Sequence, residues 1–132
     1  MEYVKSFRDL EVYKLSRQLS REIFDITKNF PKEEMYSLTD QIRRSSRSIG
    51  GQIAEAWAKR KYEKHFVSKL TDADGEQLET QHWIETATDC MYISEKVADN
   101  LLERYASVGK MLSSMITKAE KFCNNRSLNT EH

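Results

Sequence analysis

The sequence is poor in everything that interrupts a helix. Its 132 residues include one proline and four glycines, so long helices are expected, and no strand signal competes with them. Cysteine is scarce. Cys90 and Cys123 stand alone, without metal-ligand or redox spacing, and read as reduced structural thiols. No apolar run approaches ~18 residues, which excludes a helical membrane span. No apolar segment follows Met1 as a signal peptide would require, and this points to the cytoplasm. Net charge is missing too: Lys plus Arg, 21, equals Asp plus Glu, 21. That argues against indiscriminate attraction to polyanions and leaves a local patch as the electrostatic route. The length suits one domain that buries a core without staples.

Four amphipathic segments fill the chain. In the first, over 7–29, Val12, Leu15, Leu19, Ile23, Ile26 and Phe30 recur at three- and four-residue steps and so share a face. Ser6 with Asp9 reads as a capping box, and Phe30-Pro31 ends the segment. The second, over 33–61, opens on acidic Glu33-Glu34 and closes on Lys59-Arg60-Lys61, matching the helix dipole at both ends. Its seam is Met35, Leu38, Ile42, Ser45, Ile49, Ile53 and Ala56, a near-heptad. The third, over 63–92, carries Phe66, Leu70, Ala73, Gln77, Ile84 and Met91, with an unusually polar middle at Gln77 and Thr80. The fourth, over 95–122, follows Ser94 as N-cap and aligns Val97, Leu101, Val108, Leu112, Met115, Ala119 and Phe122. Short connections predict an all-α, up-down-up-down four-helix bundle over 1–123. Residues 124–132 read as a disordered polar tail.

The faces away from these seams carry the functional signal. At about 100° per residue, Arg43, Arg47, Gly50, Ala54 and Ala58 lie to one side of helix two, with Arg44 and Gly51 nearly opposite the core. Glycine inside a helix costs about 1 kcal/mol relative to alanine, so two in succession predict close approach of another helix. Leu10, Tyr13 and Phe24 form a second stripe on helix one, and three apolar residues on one stripe point to an interface. Trp83 lies off its seam beside Asp72, Glu76 and Glu79. From Tyr62 to Ile93 there are two basic and seven acidic residues, a balance of −5; from Glu33 to Lys61 there are six and four, a balance of +2. Complementary faces on one subunit favour head-to-tail contacts that close into rings, so a cyclic homo-oligomer is expected.

Catalytic and cofactor chemistry finds little support. Glu79-Thr80-Gln81-His82 is a Glu-x-x-His motif, but a di-metal bundle needs a second one, and none exists. Ser45, Ser46 and Ser48 lack a nucleophile elbow, and Gly50-Gly51 lacks the Lys-Ser/Thr of a phosphate-binding loop. No enzyme, metal or cofactor is therefore expected. Glu55 is expected to pair with Lys59 one turn on. The basic set Arg43, Arg44, Arg47, Lys59, Arg60, Lys61 and Lys64 suits phosphate, since the arginine fork donates two parallel hydrogen bonds. In a ring, one modest patch is multiplied by the number of subunits. The competing expectation is that these arginines pair with Asp72, Glu76 and Glu79 of a neighbouring subunit.

Four pieces of sequence carry a resemblance. They are Phe7-x-x-Leu10-x-Val12-Tyr13, Phe30-Pro31-x-x-Glu34-x-Tyr36-x-Leu38, Gln41-Ile42-Arg43-Arg44-x-x-x-Ser48-Ile49-x-x-x-Ile53-Ala54-Glu55, and Ala73-x-Gly75-x-x-x-Glu79. In this order the chain resembles the bacterial four-helix-bundle family associated with intervening sequences in 23S ribosomal RNA genes. It departs from the usual pattern at Gln52, Ala56 and Glu76, where that family has Asn, Gly and Ser. The resemblance implies a bundle assembled as a ring of five. It also implies kinship with the accessory protein of diversity-generating retroelements, a basic barrel that binds nucleic acid and partners a reverse transcriptase. Together these readings give a non-catalytic RNA- or DNA-binding accessory or scaffold protein, with a purely structural interaction module as the alternative.

Overall fold

A computed structural model describes residues 4–123, so the tail expected over 124–132 lies outside the described residues. Four helices make up the described chain: α1 (Glu11–Thr27), α2 (Leu38–Ala58), α3 (Glu63–Asp89) and α4 (Glu95–Thr117). No strand occurs among the described residues, and no helix there is long and apolar enough to cross a membrane. Cross-helix contacts fix the directions. Gly50 of α2 meets Tyr13 of α1 while Arg43 reaches Thr27. Glu55 pairs with Lys69 while Arg44 pairs with Glu79. Gln77 of α3 meets Gly109 of α4 while Phe66 stacks on Phe122. Consecutive helices therefore run antiparallel, and α4 returns to α1 through the Arg104–Glu22 ion pair.

The helices are shorter than the apolar periodicity suggests, because short 3-10 turns take up their ends. Ser6 caps the turn Phe7–Asp9 through Arg8 N rather than opening α1, whose N-cap is Leu10. The acidic residues expected to begin α2 form the turn Lys32–Glu34. Glu34 still caps the helix, its carboxylate accepting from Leu38 N at 3.2 Å. Ser94 caps α4 as expected, accepting from Val97 N at 3.1 Å. α3 stops at Asp89 in a Schellman geometry: Tyr92 N donates to Ala87 O and Met91 N to Thr88 O, both at 2.9 Å. The residue in the left-handed region there is Met91, at φ 63°, where glycine is the usual occupant.

Ile42, Ile49 and Ile53 of α2 face Leu19 and Ile23 of α1, Leu70 and Ile84 of α3, and Leu101, Val108 and Leu112 of α4 in one buried core. Each such side chain contributes about 1.5–3 kcal/mol by leaving water. A smaller cluster of Phe30, Leu38 and Ala87 closes the end that holds the α1–α2 and α3–α4 turns. Three seam residues depart from expectation. Met35 sits in the turn before α2 and is half exposed, Met91 lies beyond α3 and is 85 % exposed, and Val97 faces outward. Ala98 and the fully buried Tyr105 take the core positions of α4. Burial pushes the Tyr105 phenol well above its ordinary value, with the charge of Glu22 adding.

The polar middle of α3 is a satisfied buried layer. Ser45 and Thr80 hydroxyls meet at 2.8 Å. Gln77 donates to Asp74 at 3.0 Å and accepts from Gln81 at 2.7 Å. Opposite it, Gly109 leaves a notch, since a Cβ there would lie 2.9 Å from the Gln77 amide nitrogen. Glu55 pairs across helices with Lys69 at 2.8 Å instead of with Lys59. Lys69 lowers the Glu55 pKa, mainly through this bond, and is itself raised by it.

Candidate nucleic-acid interface

The α2 register that turns its isoleucines inward sets Arg43, Arg47, Gly50 and Ala54 toward α1. α1 answers with Tyr13, Arg17, Ser20 and Phe24, and a groove of about 240 Å³ between the helices is lined by Tyr13, Arg17, Ser20, Arg47, Gly51 and Ala54, among others. An adjoining depression of about 540 Å³ runs along α2 past Met35, Asp40, Arg43, Arg44 and Arg47. Arg47 lines both.

Phe24 is the hub of this face. Three cations surround its ring: Arg43 at 4.5 Å, Lys28 at 4.9 Å and Arg47 at 5.4 Å from the centroid. Arg43 is fixed in place, its Nε donating to Thr27 Oγ1 at 2.7 Å and an Nη to the Phe24 carbonyl at 3.4 Å. Lys28 has Asp25 at 3.6 Å. Among the described residues no carboxylate pairs with Arg43 or Arg47. The ring's negative face partly offsets this crowding of positive charge.

Arg44 differs. It bonds Glu79 of its own chain at 2.9 Å and Gln41 at 3.1 Å. The same Glu79 oxygen accepts from the Trp83 indole at 3.0 Å. Arg44 and Glu79, one of the pairs expected across subunits, are thus joined within one, with Trp83 on the same carboxylate. Asp72 is exposed on the same helix. Glu76 is half-buried with one carboxylate oxygen unpartnered among the described residues. Burial, and then the charge of Glu79, raises its pKa, against the lowering effect of Arg44.

The stripe expected on helix one is also revised. Leu10 is 6 % exposed and belongs to the core, while Tyr13 and Phe24 are half-buried against α2. Gly50 lies against α1 of its own chain, where a Cβ would make an ordinary contact, 3.4 Å from the Tyr13 ring. Gly51 has nothing within 4 Å. It stays on the outer face with Ala58.

The remaining cations, Lys59, Arg60, Lys61 and Lys64, cluster at the α2–α3 turn, roughly 24 Å along α2 from Arg43 at 1.5 Å per residue. The basic residues therefore form two patches. Arg60 stacks on Trp57 at 3.7 Å and donates to its carbonyl at 2.9 Å. Arg17 and Lys28 were missed in the sequence, although the helical wheel puts both on the Phe24 side of α1. His82 is exposed against the Trp83 ring, and no group of three metal-ligating side chains occurs among the described residues.

A solved structure with this fold, at TM-score 0.72, is a protein of unknown function from the S23 ribosomal protein family of Bacteroides thetaiotaomicron. It is 28 % identical, and the match covers 80 % of this chain and 95 % of that one. Among curated proteins there is no match. The model of the 23S rRNA-intervening sequence protein family matches residues 8–114. Those residues hold all four helices almost entire, with the hub of cations on Phe24 inside them, and the chain belongs to that family.

Proposed function

We propose that this chain is a non-catalytic subunit that assembles with copies of itself into a ring and binds RNA through the outer face of α1 and α2. The observation that carries the reading is the Phe24 hub, where two arginines and a lysine crowd one ring and neither arginine has a carboxylate partner among the described residues. A phosphate would supply the missing anion. Arginine presents it with a planar fork, and Arg43 is already held by Thr27, so little ordering is left to be lost on binding. The ring reading is supported by Gly51 and Ala58, small residues kept on an open helical face. The structural-module alternative rests on the same two residues and dispenses with the RNA.

The double variant Arg43→Ala/Arg47→Ala tests the reading by fluorescence anisotropy on RNA across a salt series. It should keep the oligomeric mass of the wild type and flatten the salt slope by about one unit per cation removed. Absence of binding by the wild type at about 50 mM salt, where phosphate contacts are strong, removes the RNA reading. A monomeric mass by light scattering removes the ring.

A further inference from the structure

The second basic patch has a different build from the first, and the difference points to a different part of a nucleic acid. Three elements meet at this end of the bundle. The turn Phe7–Asp9 packs on α2, and the turn Ala119–Lys121 packs on α3, where Phe122 stacks on Phe66 at 5.9 Å. They bring Arg8, Lys118 and Lys121 to the end that already holds Lys59, Lys61 and Lys64, and all six are exposed. The acids there are Asp9, Glu55, Glu63 and Glu120, still fewer than the cations, and Glu55 is held by Lys69 at 2.8 Å while also feeling the charge of Lys59. The cations of the turn itself are mostly lysines, point charges on flexible stems that follow a backbone without demanding one geometry.

Aromatic rings are interleaved with these cations, and they are not equivalent. Phe7 is covered by Arg8 at 4.5 Å and Trp57 by Arg60 at 3.7 Å, just as Phe24 is covered in the first patch. Tyr62 is the exception. It stands at the N-cap of α3 on extended backbone and is 57 % exposed. Its ring neighbours are His65, tilted at 5.5 Å, and the Lys61 ammonium, 6.0 Å from the ring centre. An open and mainly apolar depression of about 460 Å³ begins at the next residue, between Glu63, Lys64, Val67 and Ser68 on the first turns of α3. A large ring held out at a turn contributes nothing to the core. Among a set of exposed lysines, with an apolar hollow starting one residue on, it supplies the parts of a nucleotide seat: a flat surface for a base and cations for the phosphates on either side.

We propose that the α2–α3 turn binds unpaired nucleotides of RNA, with a base stacked on Tyr62 and the flanking phosphates on Lys59, Lys61 and Lys64. This rests on the RNA reading above and adds the class of RNA. A duplex hides its base faces, so it would use the arginine groove alone, whereas a single strand or loop would engage Tyr62.

The experiment compares a dye-labelled single-stranded RNA of about eight nucleotides, within the usual span of such sites, with a blunt RNA duplex. Anisotropy is read on the full chain at about 50 mM salt. Tyr62→Ala should weaken single-strand binding roughly tenfold, the loss of one stacked base, and leave duplex binding unchanged. Tyr62→Phe keeps the ring and should bind as the wild type does. Removing the three lysines should lower the single-strand salt slope by about two units, at about 0.7 per phosphate. The proposal is overturned if Tyr62→Ala binds the single strand like the wild type, or if it weakens both RNAs equally. In either case sensitivity to Arg43→Ala/Arg47→Ala would leave the general RNA reading standing. A wild type that binds neither RNA overturns both.

Discussion

Replacing Met91 by glycine should make the protein more stable, although it removes a whole side chain. Met91 ends α3 at φ 63°, where an L-residue brings its Cβ too close to the following carbonyl at a cost of about 1–2 kcal/mol. The side chain returns little, being 85 % exposed. Both Schellman hydrogen bonds are made by backbone atoms and survive the change. Glycine is more disordered in the unfolded chain, which offsets about 0.4–1 kcal/mol, so the net gain is about 1 kcal/mol. With an unfolding entropy near 2.1 cal/mol/K per residue, a chain of 132 residues should gain roughly 3–4 °C in Tm. Urea titration followed by circular dichroism should show a higher midpoint with an unchanged slope. Met91→Ala is the control, because it removes the same side chain and keeps the strain; it should stay within about 0.5 kcal/mol of the wild type. If alanine gains as much as glycine, or glycine gains nothing, the strain at this cap is not what the dihedral implies.

The notch at Gly109 should admit a methyl group only if the Gln77 amide shifts. Gly109→Ala would press on that amide at 2.9 Å, and Asp74 and Gln81 hold it in place. Overpacking of about 1–3 kcal/mol, offset by about 1 kcal/mol of helix propensity, should leave a net loss of about 0–2 kcal/mol in the same titration, and a clear gain in stability would mean that the amide gives way freely. Glu76→Gln should stabilise at neutral pH. The folded chain holds the Glu76 proton more tightly than the unfolded one, so its stability is full below the ordinary value of 4.5 and falls as pH rises through the higher folded value. The advantage of the glutamine should therefore vanish in melts below that pH, and a constant advantage would refute the cause. Tyr92 donates to Glu34 at 2.8 Å, and that bond, with burial, raises its pKa from 10.0 to about 12. Stability should fall as pH climbs from 10 toward about 12, and Tyr92→Phe should melt with a flatter dependence in that window.

The helical fold was legible because its signal is local and repeated. Ile42, Ile49 and Ile53 needed only the period of a helix to be placed in the core, and all three are buried. The errors fall where a non-local contact or a helix end decides. Met35 and Met91 continue the apolar period past the points where a 3-10 turn and a Schellman cap stop the helix. Val97 and Ala98 are one residue apart, and only packing chooses between them. The site was legible in residue type rather than in pairing. Arg44 looks like Arg43 in the sequence, yet the antiparallel register of α2 and α3 brings Glu79 to one, while Thr27 and Phe24 of α1 receive the other. Gly50 and Gly51 together suggest close approach of another helix, yet within the chain a Cβ at Gly50 would only touch Tyr13 at an ordinary 3.4 Å and one at Gly51 would meet nothing within 4 Å.

Gln77 and Gly109 have a consequence beyond their own stability. Apolar stripes are forgiving, and a helix slid by one turn against its neighbour still meets hydrocarbon. Gln77 is less forgiving, because moving α4 by a turn would bring Tyr105 or Leu112, both large and buried, onto an amide that now lies against glycine. The pair works as a key in its keyway and favours the present alignment of α3 and α4 over a slip of one turn. Every outward surface built on those helices, Trp83 and the carboxylates of α3 included, is indexed from that alignment. The placing of that whole outer face thus leans on the absence of one methyl group at Gly109.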